Sequence, residues 1–135
     1  MENNKNNKAI IIILWIAQGL LAAMFIMAGL MKVSQPVEVL AESLPWITST
    51  PLALVRFIGV SELLGGLGLL VPALLRIKPF LTIWAALGLA LVMVFAAIFH
   101  ASRGEFSAIG TNVLFIIFLG FIAWGRSKKA PIAAK

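Results

Sequence analysis

Four uninterrupted apolar runs, each close to twenty residues long, dominate this chain: about residues 9–31, 52–75, 80–100 and 108–125. A hydrocarbon layer of about 30 Å needs roughly 20 helical residues to cross it at about 1.5 Å per residue. Lipid is therefore the solvent this chain is built for. The runs are continuously apolar, whereas barrel strands alternate apolar and polar residues over about ten positions, so helices are expected rather than a barrel. The predicted fold is an all-α, antiparallel bundle of four transmembrane helices forming one domain over residues 9–125. A polar segment (residues 1–8) precedes it and a basic tail (residues 126–135) follows it. With 61% apolar and 12% charged residues, little chain remains for any soluble unit.

The first run carries no charge, and Gln18 is its one amide. It is too long for the apolar region of a cleaved leader, about 7–15 residues, and is read as a span. Pro72 is placed to bend or end the second span, and Pro79 to open the third. The longest connection, residues 33–51, has prolines at 36, 45 and 51. Val37, Leu40, Ala41 and Leu44 recur in it at helical spacing, which suggests a short helix lying at the membrane surface. The other connections are tight, as antiparallel neighbours require.

Basic residues sort by face. Lys5, Lys8, Arg76, Lys78, Arg126, Lys128, Lys129 and Lys135 fall on one side if four spans alternate, against Lys32, Arg56 and Arg103 on the other. The richer side is expected to be cytoplasmic, with both termini there. This placement explains the net charge of +6 without nucleic acid, which is not expected as a partner. The absence of cysteine removes disulfide and thiolate chemistry. A single histidine cannot supply a bis-histidine haem or a typical zinc cluster.

Ionisable groups within a span are costly to bury and are functional candidates by default. Glu62 stands ten positions after Leu52, about 15 Å along its helix and near mid-membrane. Gly59, Gly65, Gly66 and Leu69 share its face, so a second helix can approach closely while Glu62 points inward. It is the expected proton-handling or ligand-binding carboxyl. Lys32, Arg56, His100 and Asn112 all occupy the outer halves of their spans and are expected to wall a pocket above it. His100 continues the helical stripe of Ala86, Ala90, Met93 and Ala97. Each has a plainer reading: an interhelical hydrogen bond for Glu62 and Asn112, snorkelling for Lys32 and Arg56, an interfacial role for His100. The four Trp residues are read as interface anchors and lipid-facing bulk.

The segments Ala28-Gly29-Leu30-Met31-Lys32, Ile58-Gly59-Val60-Ser61-Glu62-Leu63-Leu64-Gly65-Gly66 and Gly125-Arg126 resemble the DoxX-like membrane proteins. These are small four-helix bacterial proteins related to the DoxD subunit of thiosulfate:quinone oxidoreductase. The resemblance implies a bundle in the bacterial cytoplasmic membrane, with Lys32 and Glu62 at the family's polar signature positions. It also points to an accessory or catalytic subunit of a quinone-linked oxidoreductase, with the cofactor left open and quinone as its candidate, and a redox protein or a second copy of the chain as candidate partner. Two other readings stand beside it: a noncatalytic assembly or stress-related membrane protein, and a small ion or solute carrier.

Overall fold

A computed structural model describes residues 3–135, with side chains from Asn7 onward. Five α-helices follow one another: α1 (Asn3–Ser34), α2 (Val37–Ser43), α3 (Leu52–Leu75), α4 (Leu81–Ser102) and α5 (Phe106–Trp124). A 3-10 turn (Pro45–Ser49) follows α2, and a π turn (Gly125–Lys129) extends α5. No strand occurs among the described residues. The four long helices are each long and apolar enough to cross a membrane, and the chain is an all-α, four-span membrane protein. Helix α1 begins at Asn3, inside the polar segment expected to precede the bundle, and residues 1 and 2 lie outside the described part. The short helix expected between the first two spans is present as α2.

Helix α1 packs mainly on α3, α3 also on α4, and α4 on α5, while slighter contacts between α1 and α5 close the ring. The core is a column of Leu21, Ala22 and Phe25 from α1, Leu69 from α3, Ala86, Leu89 and Met93 from α4, and Leu119, Ile122 and Ala123 from α5. Large apolar side chains point the other way: Leu64, Trp84, Ile98 and Ile117 lie on the outside of the bundle. Such inversion suits a lipid solvent, in which burial brings no hydrophobic gain and close packing must hold the helices together.

Two devices shape the bundle. At the α1–α3 crossing, a Cβ built on Gly29 would stand 2.6 Å from the carbonyl oxygen of Gly59 and 2.6 Å from the amide nitrogen of Leu63. The two backbones meet there because neither position carries a side chain. Within α3, Pro72 has no N–H to give the carbonyl of Gly68 one turn earlier, yet the helix runs on to Leu75. The Thr82 hydroxyl, from α4, donates to that carbonyl at 3.2 Å. An orphaned acceptor in hydrocarbon is thereby satisfied from the neighbouring helix.

The connection between α1 and α3 folds back over its own end of the bundle. Leu40 and Ile47 bury against Val55, with Met31, Val37, Leu44 and Trp46 packed around them. Prolines at each break, Pro36, Pro45 and Pro51, limit α2 and the 3-10 turn to short pieces.

Candidate functional site

The close α1–α3 crossing brings Lys32, one turn after Gly29, against Glu62, one turn after Gly59. Lys32 Nζ donates to Glu62 Oε1 at 2.6 Å. The carboxylate side chain is 4% exposed and the ammonium-bearing one 12%, so this ion pair is nearly removed from solvent. A group of each sign satisfies the other where an unpaired charge would be costly. Lys32 sits in the last turn of α1, where a cation also complements the helix dipole.

The pair borders a cavity of about 570 Å³, lined from all four long helices and the α1–α3 connection. Phe25, Phe57, Phe99 and Phe115 with Met24 and Met93 make most of its wall apolar. Asn112 lines it too, in the early turns of α5, and its Nδ2 is buried without a hydrogen-bond partner. An amide N–H left open beside a cavity is a donor for whatever enters.

His100 lines the same cavity at the end of α4. Its Nδ1 lies 2.9 Å from Glu105 Oε1, which also accepts from Arg103 Nε at 2.9 Å. Glu105 lies in the turn between α4 and α5. The hydrogen bond with His100, and then Arg103, holds its carboxyl below the usual range despite some opposing desolvation. Arg103 in turn donates to Ser49 Oγ, tying this turn to the 3-10 turn. Trp46 stands edge-on to Phe99 and His100, with ring centroids 5.9 Å and 6.3 Å away. Together these contacts tie the connection between α1 and α3 to the end of α4 beside the cavity.

Lys32, Glu62, His100 and Asn112 are thus brought to one cavity, but Arg56 does not line it. Its Nη1 donates to the carbonyls of Lys32 and Gln35, each at 2.8 Å. Lys32 is in the last turn of α1 and Gln35 directly follows that helix, where carbonyls have no partners within the helix. Arg56 therefore caps α1 from α3 and fixes the residue that carries the ammonium.

Several functional candidates escaped the sequence reading. Trp46 is a cavity wall rather than a free interface anchor, and Glu105 is the partner of His100. At the opposite end, Gln18 Nε2 donates to the Leu69 carbonyl at 2.7 Å, while its Oε1 accepts from Arg126 Nε. The Arg126 guanidinium also lies 4.8 Å from the Trp15 ring centroid. The available signals were the amide in an otherwise apolar span, a proline inside α3, and an arginine directly after α5. None names its partner without the helix arrangement.

No curated protein and no solved structure gives a significant match to the chain. The sequence pattern of the DoxX-like family matches residues 16–122, which includes most of the four spans, both partners of the Lys32–Glu62 pair, His100 and Asn112. A match over most of the chain, on a four-span helical bundle, makes this protein a member of the DoxX-like family.

Proposed function

We propose that the chain is an accessory or catalytic subunit of a quinone-linked oxidoreductase in the bacterial cytoplasmic membrane, and that the cavity beside Glu62 receives the quinone head. The observation that carries this reading is a buried Lys32–Glu62 pair in the wall of a largely apolar cavity of about 570 Å³. That volume is within the range of small-molecule sites, roughly 300–1,000 Å³, and the few polar groups are placed to orient a ligand. The open Asn112 amide and the Lys32 ammonium can donate to carbonyl oxygens, and the aromatic wall can hold a flat ring.

A bound quinone would supply two-electron acceptor chemistry. Electrons would come from a redox partner protein, since the chain offers no cysteine dithiol of its own. Lys32 Nζ donates to Glu62 Oε1 at 2.6 Å, so a proton that Lys32 gives to a ligand oxygen would be replaced by one that Glu62 takes up from water and passes across the contact. His100 lines the cavity and is hydrogen-bonded to Glu105 in the turn between α4 and α5, a path by which protons would pass between the cavity and the adjoining membrane face. The basic-residue asymmetry supports that face being outside and both termini in the cytoplasm. A periplasm-active reporter should then function after Gly104 and fail after Lys78.

The binding test uses the full chain in nanodiscs, titrated with short-chain ubiquinone and menaquinone analogues while Trp fluorescence is followed. Saturable quenching is expected for the wild type and for Glu62→Gln, and should weaken at least about tenfold in Asn112→Leu and Glu62→Leu, each of which loses a polar contact. Absence of saturable binding by either analogue, or equal affinity in all folded variants, would sink the reading.

A further inference from the structure

A second cavity, of about 500 Å³, lies at the opposite end of the bundle, between the α3–α4 turn and the segment after α5. Arg126 and Lys78 line it with Ser127, and Phe80, Ile83 and Ile132 form an apolar flank. Arg126 is 4% exposed. Its Nε is taken by Gln18 and its Nη1 by the Ala130 carbonyl at 3.0 Å, but its Nη2 is buried with no partner.

No carboxylate compensates this charge among the described residues. The ion pairs found are those of Lys32 with Glu62 and of Glu105 with His100 and Arg103, all at the other end. Neutral oxygens from Gln18 and Ala130 satisfy individual N–H groups but leave the net charge of a buried guanidinium standing. Lys78 adds a second cation, carried on a backbone with φ of 47°. Non-glycine residues held in this region are strained and persist where the surroundings impose them.

We propose that Arg126 and Lys78 form a binding site for a phosphate oxyanion, with Ser127 as an added hydroxyl donor and the Phe80–Ile132 flank for apolar substituents. Phosphate chemistry fits because the guanidinium keeps Nη2 as an unpartnered charged donor, the ammonium is a mobile point charge, and an oxyanion can accept from both at once. A phospholipid headgroup and a soluble phosphate compound share this chemistry. The site is separate from the cavity at Glu62 and does not depend on what occupies that one.

The full chain is reconstituted in phosphatidylcholine nanodiscs, with and without a fixed fraction of phosphatidylglycerol, and retained lipid is read by native mass spectrometry. In a second arm, inorganic phosphate is titrated into the pure phosphatidylcholine discs and the melting temperature is followed. Wild type should retain phosphatidylglycerol selectively, and Lys78→Ala should weaken retention about fivefold, as the loss of one basic residue at a membrane surface predicts. Arg126→Lys, which keeps charge but loses the Nη2 donor, should weaken it further, and Lys78→Ala decides alone if that variant does not fold. Saturable stabilisation by inorganic phosphate, dependent on Lys78 and without selective lipid retention, would uphold the oxyanion site and assign it to a soluble compound. Lys128→Ala with Lys129→Ala should change neither readout, because those lysines do not line the cavity. An equal loss in that double variant would reveal diffuse attraction to a basic surface and overturn the proposal. So would an absence of both phosphatidylglycerol selectivity and a phosphate effect.

Discussion

Lys32 Nζ meets Glu62 Oε1 at 2.6 Å because each follows, by one helical turn, a glycine at the point where α1 and α3 touch backbone to backbone. The pair is asymmetric in depth. Lys32, in the last turn of α1, can snorkel outward if its partner is lost, whereas Glu62 is anchored in the interior of α3. Lys32→Met should therefore destabilise more than Glu62→Leu, with about 3 kcal/mol as the scale for an abandoned buried charge. The double variant should recover most of the loss. Unfolding of the four proteins in nanodiscs gives the cycle, and additive losses in the double variant would show that the two residues do not act as a pair.

Gly29→Ala should cost about 1–3 kcal/mol, since the added methyl would press on the backbone of Gly59 and Leu63, which cannot rotate away. Gly66→Leu should be worse, facing Ile26 and the Ala22 carbonyl, while Leu67→Ile on the lipid side should be tolerated. Gly88→Ala makes the control, because nothing lies within 4 Å of the new methyl and alanine is the better helix former. Thermal unfolding should rank Gly88→Ala at or above wild type.

The Thr82 hydroxyl and Pro72 form a testable couple through the Gly68 carbonyl. Thr82→Val should cost about 0.6–1.5 kcal/mol, the range of polar contacts between membrane helices. Restoring the missing N–H with Pro72→Ala should make the same Thr82→Val change nearly silent. A full penalty in both backgrounds would mean that the hydroxyl does not serve that carbonyl.

Glu105 gives a pH dependence of defined sign. Its carboxyl titrates below the unfolded value of about 4.5, so the stabilisation is present above that pH and fades as pH falls through the folded value. The melting temperature should decline below about pH 4.5, and Glu105→Gln should flatten that decline while leaving the remainder of the profile intact. The effect is expected to be small because the side chain is one-third exposed. An unchanged acid limb in the variant would place its origin elsewhere.

The sequence by itself determined the solvent and the architecture. Apolar runs of membrane length admit helices in lipid and little else, and proline at positions 36, 45 and 51 breaks the first connection where the short helix and turn are found. Helical periodicity also aimed Glu62 inward, because side-chain direction follows from position along one helix. Partners were another matter. Whether Arg56 reaches a cavity or caps the end of α1, and whether Gln18 meets Leu69 and Arg126, depends on how helices distant in sequence are rotated and set in depth against one another. Those settings come from the glycine contact of α1 with α3 and the repair of the Pro72 break by Thr82. Both are properties of two helices together, and no periodicity within one strand of sequence contains them.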